Sequence, residues 1–232
     1  MSSNKSQHAF ALIKFFSKKE HYLSFKSGTS LFRTPHYYRT CEDIGRGDRS
    51  ESCLLYWDKK HGGTKPKFIR PDGTDLINQK LQNVLVYPAD EPHDAWMQSW
   101  AVIGPHNSFE NSLEQIQREF GCYFVLLPAS KIRLYSRLVE KATKTKVNYG
   151  LVRYSDDPME RSLTVKDVKY SYQKEFRFFL GQCSKGELQD RFLELPGLNK
   201  LLLNGQSLKL ASPNGAIKYC SVGHNSVVAV NP

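Results

Sequence analysis

Residues 170–180, Tyr-Ser-Tyr-Gln-Lys-Glu-Phe-Arg-Phe-Phe-Leu, carry the residue types best suited to chemistry. Read as a strand of period two, the run puts Tyr170, Tyr172, Lys174, Phe176 and Phe178 on one side and Gln173, Glu175 and Arg177 on the other. An amide and a carboxylate two residues apart then stand roughly 7 Å from each other and face one pocket. A carboxylate so placed can stabilise positive charge developing on a reacting centre, its electrostatic role in glycoside cleavage. The bland reading is a solvated face on which Glu175 and Arg177 make cross-strand ion pairs.

Other candidates surround this one. Lys14 interrupts the apolar stretch Ala9 to Phe16, where a charge is costly unless it faces outward or finds a partner. Arg33 and Arg39 are candidate phosphate contacts, Tyr37 or Tyr38 a candidate stacking ring, and Ser99 a strand hydroxyl between Gln98 and Trp100. A rival site is acidic: Asp48, Glu51 and Glu175 could hold Mg²⁺ in a nuclease-like centre. That pattern lacks a compact Asp…Glu-x-Lys triplet. The seven histidines show no ligand spacing, and the five cysteines are too scattered for a disulfide framework or a structural zinc site. Cys122, opening an apolar run, reads as a small buried hydrophobe. Neither a nucleophile turn nor a glycine-rich phosphate loop is present.

The length, 232 residues with 40% hydrophobic content, suits one large domain or a domain with an appendage, and excludes a wholly disordered chain. Thirty-three Lys and Arg against 23 Asp and Glu give +10, a field that attracts polyanions. Two basic stretches carry it: Lys59, Lys60, Lys65, Lys67 and Arg70 among glycines and prolines, and Lys131, Arg133, Arg137 and Lys141 on a helix. Both suit phosphate-backbone contact with RNA or DNA better than base reading. No apolar run approaches the roughly 18 residues of a membrane span, and Ala9 to Phe16 is too short for a secretory core. A cytoplasmic protein without membrane contact is expected.

The elements that must position these residues follow from periodicity and punctuation. Ala9 to Phe16 reads as a strand. Ser17 caps a helix from Lys18 to about Lys26, with Gly28 at its C-terminus and a strand over Thr29 to Thr34 stopped by Pro35. Residues 35–53 read as an ordered polar loop. A short helix from Asp75 to about Asn83 precedes strands at Val84 to Tyr87 and Trp96 to Ile103. Phe109, Leu113, Ile116 and Phe120 define a helix over 109–120, capped by Asn107 and ended by Gly121. A buried strand over Cys122 to Leu127 and a helix from Ser130 to about Thr143 follow, then strands over 147–154 and 170–180. The tail after Leu193 is β-like, with turns at Asn204-Gly205, Pro213-Asn214-Gly215 and Gly223-His224-Asn225. A mixed α+β fold with a mainly antiparallel sheet and flanking helices results.

In this order the chain resembles a broad bacterial family of unknown function. The likeness rests on Ile13-Lys14-Phe15-Phe16, Lys26-Ser27-Gly28, Leu31-Phe32-Arg33-Thr34-Pro35, Tyr37-Tyr38-Arg39, Gly47-Asp48-Arg49-Ser50-Glu51, Gln98-Ser99-Trp100, the Gly121-led strand and Tyr172-Gln173-Lys174-Glu175-Phe176-Arg177. It spans roughly residues 10–181. It departs from that family in lacking the usual Asn-Asp-Pro of the acidic loop and the usual Trp of the central helix. The element order is in turn similar to ADP-ribosyltransferase folds, which place a catalytic Glu on a late strand within Glu-x-Glu or Gln-x-Glu.

That resemblance implies an NAD-consuming mono-ADP-ribosyltransferase. Glu175 would face the ribose, Gln173 would orient the acceptor, and Lys14, Arg33, Tyr38, Arg39 and Ser99 would contact the dinucleotide. Residues 1–181 would form the transferase-like domain, and 182–232 a β-rich extension packed on it. It implies a toxin or phage-defence setting in which a neutralising antitoxin or other protein partner exists. On this reading Glu175→Gln abolishes NAD turnover and leaves the melting temperature nearly unchanged. The competing expectations are a basic nucleic-acid- or protein-binding module without chemistry and, third, a metal-dependent nuclease.

Overall fold

In the computed structural model of this chain the described residues are 11–43, 45–61, 65–75, 81–88, 92–104, 109–157, 159–204, 207–211 and 218–223. In chain order they form β1 (Ala11–Phe16), α1 (Lys19–Ser27), β2 (Thr29–Phe32), α2 (Pro35–Thr40), β3 (Leu55–Asp58), β4 (Asn83–Val86), β5 (Asp94–Ile103), α3 (Phe109–Phe120), β6 (Tyr123–Pro128), α4 (Ile132–Thr143), β7 (Val147–Leu151), β8 (Arg153–Ser155), β9 (Val165–Asp167), β10 (Glu175–Cys183), β11 (Arg191–Glu194), β12 (Leu203–Asn204), β13 (Ser207–Ala211) and β14 (Lys218–Gly223). Among these residues no helix is long and apolar enough to cross a membrane.

Six strands make one antiparallel sheet in the order β12-β6-β1-β5-β10-β7. Its central strands bury both faces, which is why β1 and β6 are apolar almost throughout. Leu12, Trp100, Val125, Leu127 and Phe178 face α1 and α4, packing on Phe25, Tyr135 and Val139. Ile13, Phe15, Ala101, Phe124 and Leu126 face α3 and meet Leu113 and Ile116. The alternation Phe176, Phe178 against Glu175, Arg177 therefore sends the aromatic pair into one core and the charged pair to the opposite face.

One buried amide locks the layers together. Gln98 of β5 donates to the Ser30 hydroxyl (2.8 Å) and the Leu31 carbonyl (3.0 Å) of β2, and accepts from Trp100 Nε1 (2.9 Å) and the Tyr135 hydroxyl (2.6 Å). All of its hydrogen-bonding capacity is used, so the group stabilises where a half-satisfied amide would cost.

The feature that creates the site is a split in the sheet. β1 pairs with β6 along its whole length, but with β5 only through Ala11↔Ile103, Leu12↔Val102 and Ile13↔Ala101. Beyond Ile13 the two strands part. The freed edge of β5 is taken up lower down by Arg33, whose amide and carbonyl exchange hydrogen bonds with Met97 (2.9 and 2.7 Å). In the gap, Lys14 Nζ donates to the Ser99 carbonyl at 3.0 Å, replacing a ladder bond that β1 no longer supplies.

Several local expectations change. Residues 35–53 contain a helix, α2, which begins with Pro35 at its first position; the Thr34 hydroxyl caps it by accepting from the Tyr37 amide (3.2 Å). Ser17 does not cap α1. Lys18 occupies that position without a side-chain bond, and the Ser17 hydroxyl instead accepts from Arg46 (3.4 Å). Tyr170 to Gln173 is not strand but the end of a 3-10 helix, Val168–Gln173, and Lys174 turns the chain into β10 with a φ of 44°. Cys122 is exposed, since it precedes β6 instead of lying in it. The tail is woven into the body: β11 pairs with β2 and β12 extends the sheet beside β6, while the boundary drawn at 181 falls inside β10. Residues 76–80 of the expected helix after Asp75, the cap Asn107 and most residues of the three tail turns lie outside the described residues.

Gly121 is fixed by close approach. Its φ is 108°, and a Cβ there would overlap the Phe16 carbonyl and the Ser17 backbone where α3 hands over to β6. Gly121→Ala is expected to cost about 1–3 kcal/mol from backbone strain alone, with the overlap adding to it. Urea unfolding of the variant measures this, and a loss within error of zero would contradict the geometry.

Candidate functional site

The split opens a cavity of about 440 Å³ between β1 on one side and β5 with the end of β2 on the other. Its lining includes Lys14, Arg33, Tyr38, Ser99, Gln173 and Glu175, six of the seven residues singled out for catalysis and dinucleotide contact, drawn from segments up to 161 residues apart. Arg46, Glu51, Lys166 and Arg177 join them.

The floor is a buried four-charge network. Arg177, only 1% exposed, makes a two-point contact with Glu51 (2.7 and 2.8 Å) and meets Glu175 through Nε (2.7 Å) and Nη2 (3.3 Å). Lys166, from β9, lies 3.2 Å from Glu175 and 3.9 Å from Glu51. Two acids and two bases balance, so each charge has an opposite partner in a place where an unpaired one would be costly. The two carboxylates differ. Burial alone would raise Glu175, but Arg177 and then Lys166, helped by hydrogen bonds from Arg177 and Ser99, hold it well below the usual carboxylate range. Burial leaves Glu51 raised and the more basic of the two.

Gln173 reaches this network by a different route from a shared strand. Its carbonyl oxygen accepts from Lys166 Nζ (3.1 Å), the ammonium that also meets Glu175, and its amide donates to the Gly45 carbonyl (2.7 Å). The convergence of Gln173 and Glu175 therefore survives the loss of the strand reading, with Lys166 between them.

Above the floor the walls are cationic. Lys14 has no carboxylate within ion-pair distance among the described residues. Burial, then the neighbouring Arg33 and Arg46, push its ammonium down to about 8, with Glu175 pulling weakly the other way. Arg33 is held over the Tyr37 ring (3.7 Å) and 3.2 Å from Asp190. Arg46 sits 3.3 Å from Asp43. Tyr38 lines the cavity, its hydroxyl pushed up chiefly by burial.

Arg39 is a correction. Its guanidinium donates to the Glu51 carbonyl (2.8 Å), the Lys185 carbonyl (2.7 Å) and Asp94 (2.7 Å), and it does not line the cavity. It clamps the loop that delivers Glu51 from outside the cavity, so it is not placed to meet a phosphate bound there. Tyr37, the alternative stacking ring, is occupied by Arg33. The acidic grouping of Asp48, Glu51 and Glu175 also fails as drawn. Asp48 turns to the Ser50 amide and hydroxyl (3.0 and 2.6 Å), and the other two face cations. Among the described residues no group of three or more His, Cys, Asp or Glu side chains could hold a metal ion.

The seven residues proposed for nucleic-acid contact lie outside the cavity. Lys59, Lys60, Lys65 and Lys67 are exposed near the β3–β4 ribbon, and Arg133, Arg137 and Lys141 are exposed on α4, whose other side buries Tyr135 and Val139. Comparison with family models, with curated proteins and with solved structures finds no match to this chain.

Lys166 and Arg46 are the site residues that sequence reasoning missed. Arg46 sat in a loop already read as ordered, whereas Lys166 is an isolated lysine with no signal at all. The network also overturns the expected thermal neutrality of Glu175→Gln, because the change removes half the negative charge facing Arg177 and Lys166. Arg177→Met, which strands two buried carboxylates on one lysine, is expected to lose about 3–5 kcal/mol. Adding Glu51→Gln should restore part of that loss, a coupling readable from a double-mutant cycle in urea; additive losses would refute the network.

Proposed function

We propose that the split-sheet cavity binds NAD as a substrate and that the protein is an ADP-ribosyltransferase-like enzyme. The observation that carries this reading is a carboxylate held ionised on the cavity floor, Glu175, in the same cavity as an ammonium without a carboxylate partner, Lys14. An anion in the cavity would give Lys14 the partner it lacks and could also be met by Arg33 and Arg46, which already pair with Asp190 and Asp43, and a pyrophosphate supplies one. A ribose next to that pyrophosphate could then meet Glu175. There the bond from ribose to nicotinamide breaks, nicotinamide leaves with the bonding pair, and the carboxylate faces the positive charge left on the sugar. An acceptor then bonds to the same carbon and gives up its proton. An ionised group suits this electrostatic part, whereas a general acid would need a raised pKa. The cavity volume falls within the range of ordinary ligand pockets, and its open mouth leaves room for a dinucleotide to extend outward.

One observation favours a second reading, a binding protein without chemistry. Both oxygens of Glu175 and both of Glu51 are engaged by Arg177 and Lys166, as in a purely structural keystone. Incubation of the protein with NAD and separate pools of RNA, DNA and lysate protein decides between them. Nicotinamide release with label transferred to one pool supports the enzyme, and saturable NAD binding without release supports the binding module. Within the first outcome, Glu175→Gln should lower turnover about 100-fold or more in a variant that still binds ADP-ribose.

Lys14 gives the reading a pH signature. The ammonium carries its charge below about 8 and loses it above, so affinity for ADP-ribose should fall as pH rises through that value. Lys14→Gln keeps a donor for the Ser99 carbonyl but removes the charge. Its affinity should be weaker at pH 7 and flat through pH 8–9, measured by calorimetry; a wild-type profile in the variant would count against Lys14 as the phosphate contact.

The exposed strip Arg133, Arg137 and Lys141, spaced by four along α4, makes a polyanion the favoured acceptor. Three charges spaced over about 12 Å of helix can follow a phosphate backbone. Replacing all three by Ala should reduce the slope of log affinity for duplex DNA against log salt by about 2–3. An unchanged slope would return these residues to ordinary solvated surface.

A further inference from the structure

We propose that Phe192 is the base-stacking platform of this cavity, so that its ligand is a purine nucleotide lying with the base on Phe192 and the phosphate toward Arg33 and Lys14. The proposal rests on the nucleotide reading above and adds to it the ligand's class and direction.

β2 presents its residues alternately. Ser30, Phe32 and Thr34 are buried, while Thr29, Leu31 and Arg33 line the cavity. Phe192 stands directly opposite Leu31 in the antiparallel β2–β11 register and lines the same cavity, yet it is 70% exposed. Of the other Phe, Tyr and Trp rings that line the cavity, Phe15, Phe25 and Trp100 are spent in the cores and Tyr37 carries Arg33, and none is as exposed as Phe192. Among the described residues no ring or cation stacks on Phe192. An isolated exposed Phe on a surface needs no explanation, but one at the mouth of a cationic cavity is a flat apolar face waiting beside an anion site. Leu31 and Arg33, the latter just past the end of β2, are one alternate step of extended chain apart, about 6.6–6.8 Å, comparable with the reach from a nucleotide's base to its 5′-phosphate. A base on Phe192 and Leu31 therefore carries its phosphate to Arg33 and inward to Lys14. A purine covers more of the exposed ring than a pyrimidine does.

Calorimetry on the full chain with AMP and with ribose 5-phosphate isolates the base, because ribose 5-phosphate carries a hydroxyl where AMP carries adenine. Wild type should bind AMP the more tightly. Phe192→Ala should weaken AMP about ten-fold and leave ribose 5-phosphate unchanged, and Phe192→Trp should retain AMP affinity. Unaltered AMP binding in Phe192→Ala would overturn the platform while leaving the phosphate site standing. Equal losses for both probes would also overturn it, by showing that Phe192 only supports the cavity wall. Failure of wild type to bind either probe would bring down the nucleotide reading together with this proposal.

Discussion

Everything in this site depends on the neutrality of one buried quartet, Glu51, Lys166, Glu175 and Arg177. Each member is at most 5% exposed, and each comes with its own backbone constraint. Glu51 is brought in by a loop whose carbonyl is clamped by Arg39 and whose turn is held by Asp48. Lys166 comes from β9, paired in parallel with β8, and the Tyr154 hydroxyl of β8 accepts the Glu175 amide proton (2.8 Å). A chain that failed to deliver any one of them would leave an unpaired charge in a dry interior, at a cost of several kcal/mol. Charge pairing of this kind adds little net stability compared with apolar packing. What it adds here is a fixed position for residues 48–53, which are polar apart from Cys53 and belong to neither apolar core.

The same economy explains how a sheet can be split without collapsing. Opening β1 from β5 beyond Ile13 frees backbone groups, and those of Met97 and the Ser99 carbonyl on β5 find other partners. Arg33 pairs with Met97, Lys14 reaches the Ser99 carbonyl, and β6 keeps the whole of β1 in register. The Gln98 amide ties β2 to β5 on the core side, so the wall opposite β1 is backed by buried hydrogen bonds where it meets the cavity. A cleft built from strands held in this way keeps its shape without a ligand, which lowers the ordering cost of binding.

Much of the fold was legible because it obeys period. Both long amphipathic helices, the apolar strand after Gly121 and the Gly28 terminus follow from spacing alone. The alternation of Glu175 and Arg177 against Phe176 and Phe178 was also correct, and it carried the site. What periodicity could not supply was the break at Lys174. Tyr170 to Gln173 alternate as a strand would, but nothing in the pattern announces a left-handed residue, and a 3-10 turn there lets Tyr170 and Gln173 bond the loop carbonyls of Gly47 and Gly45. In the sequence Pro35 reads only as the stop of a strand, whereas Thr34-Pro35 is also the start of a capped helix. Lys166 was invisible for a deeper reason: an ion-pair partner is specified by tertiary proximity, and one lysine in a polar stretch looks like any other.

If Glu175 is to serve the proposed chemistry as well as the network, one of its partners must yield. Arg177 cannot, since its remaining nitrogens are tied to Glu51 and to the Leu163 carbonyl (2.7 Å). Lys166 can. Its ammonium already shares the Gln173 oxygen, lies within ion-pair range of Glu51 and sits 4.7 Å above the Tyr170 ring. A small swing toward Glu51 would keep the lysine paired and solvate the more basic carboxylate, while leaving Glu175 Oε2 with only its longer contact to Arg177 Nη2 (3.3 Å). Glu175 would stay ionised throughout, because the Nε contact with Arg177 does not depend on Lys166. On this argument Gln173 matters less as a hand on the acceptor than as the second perch that lets Lys166 move without leaving a buried charge alone.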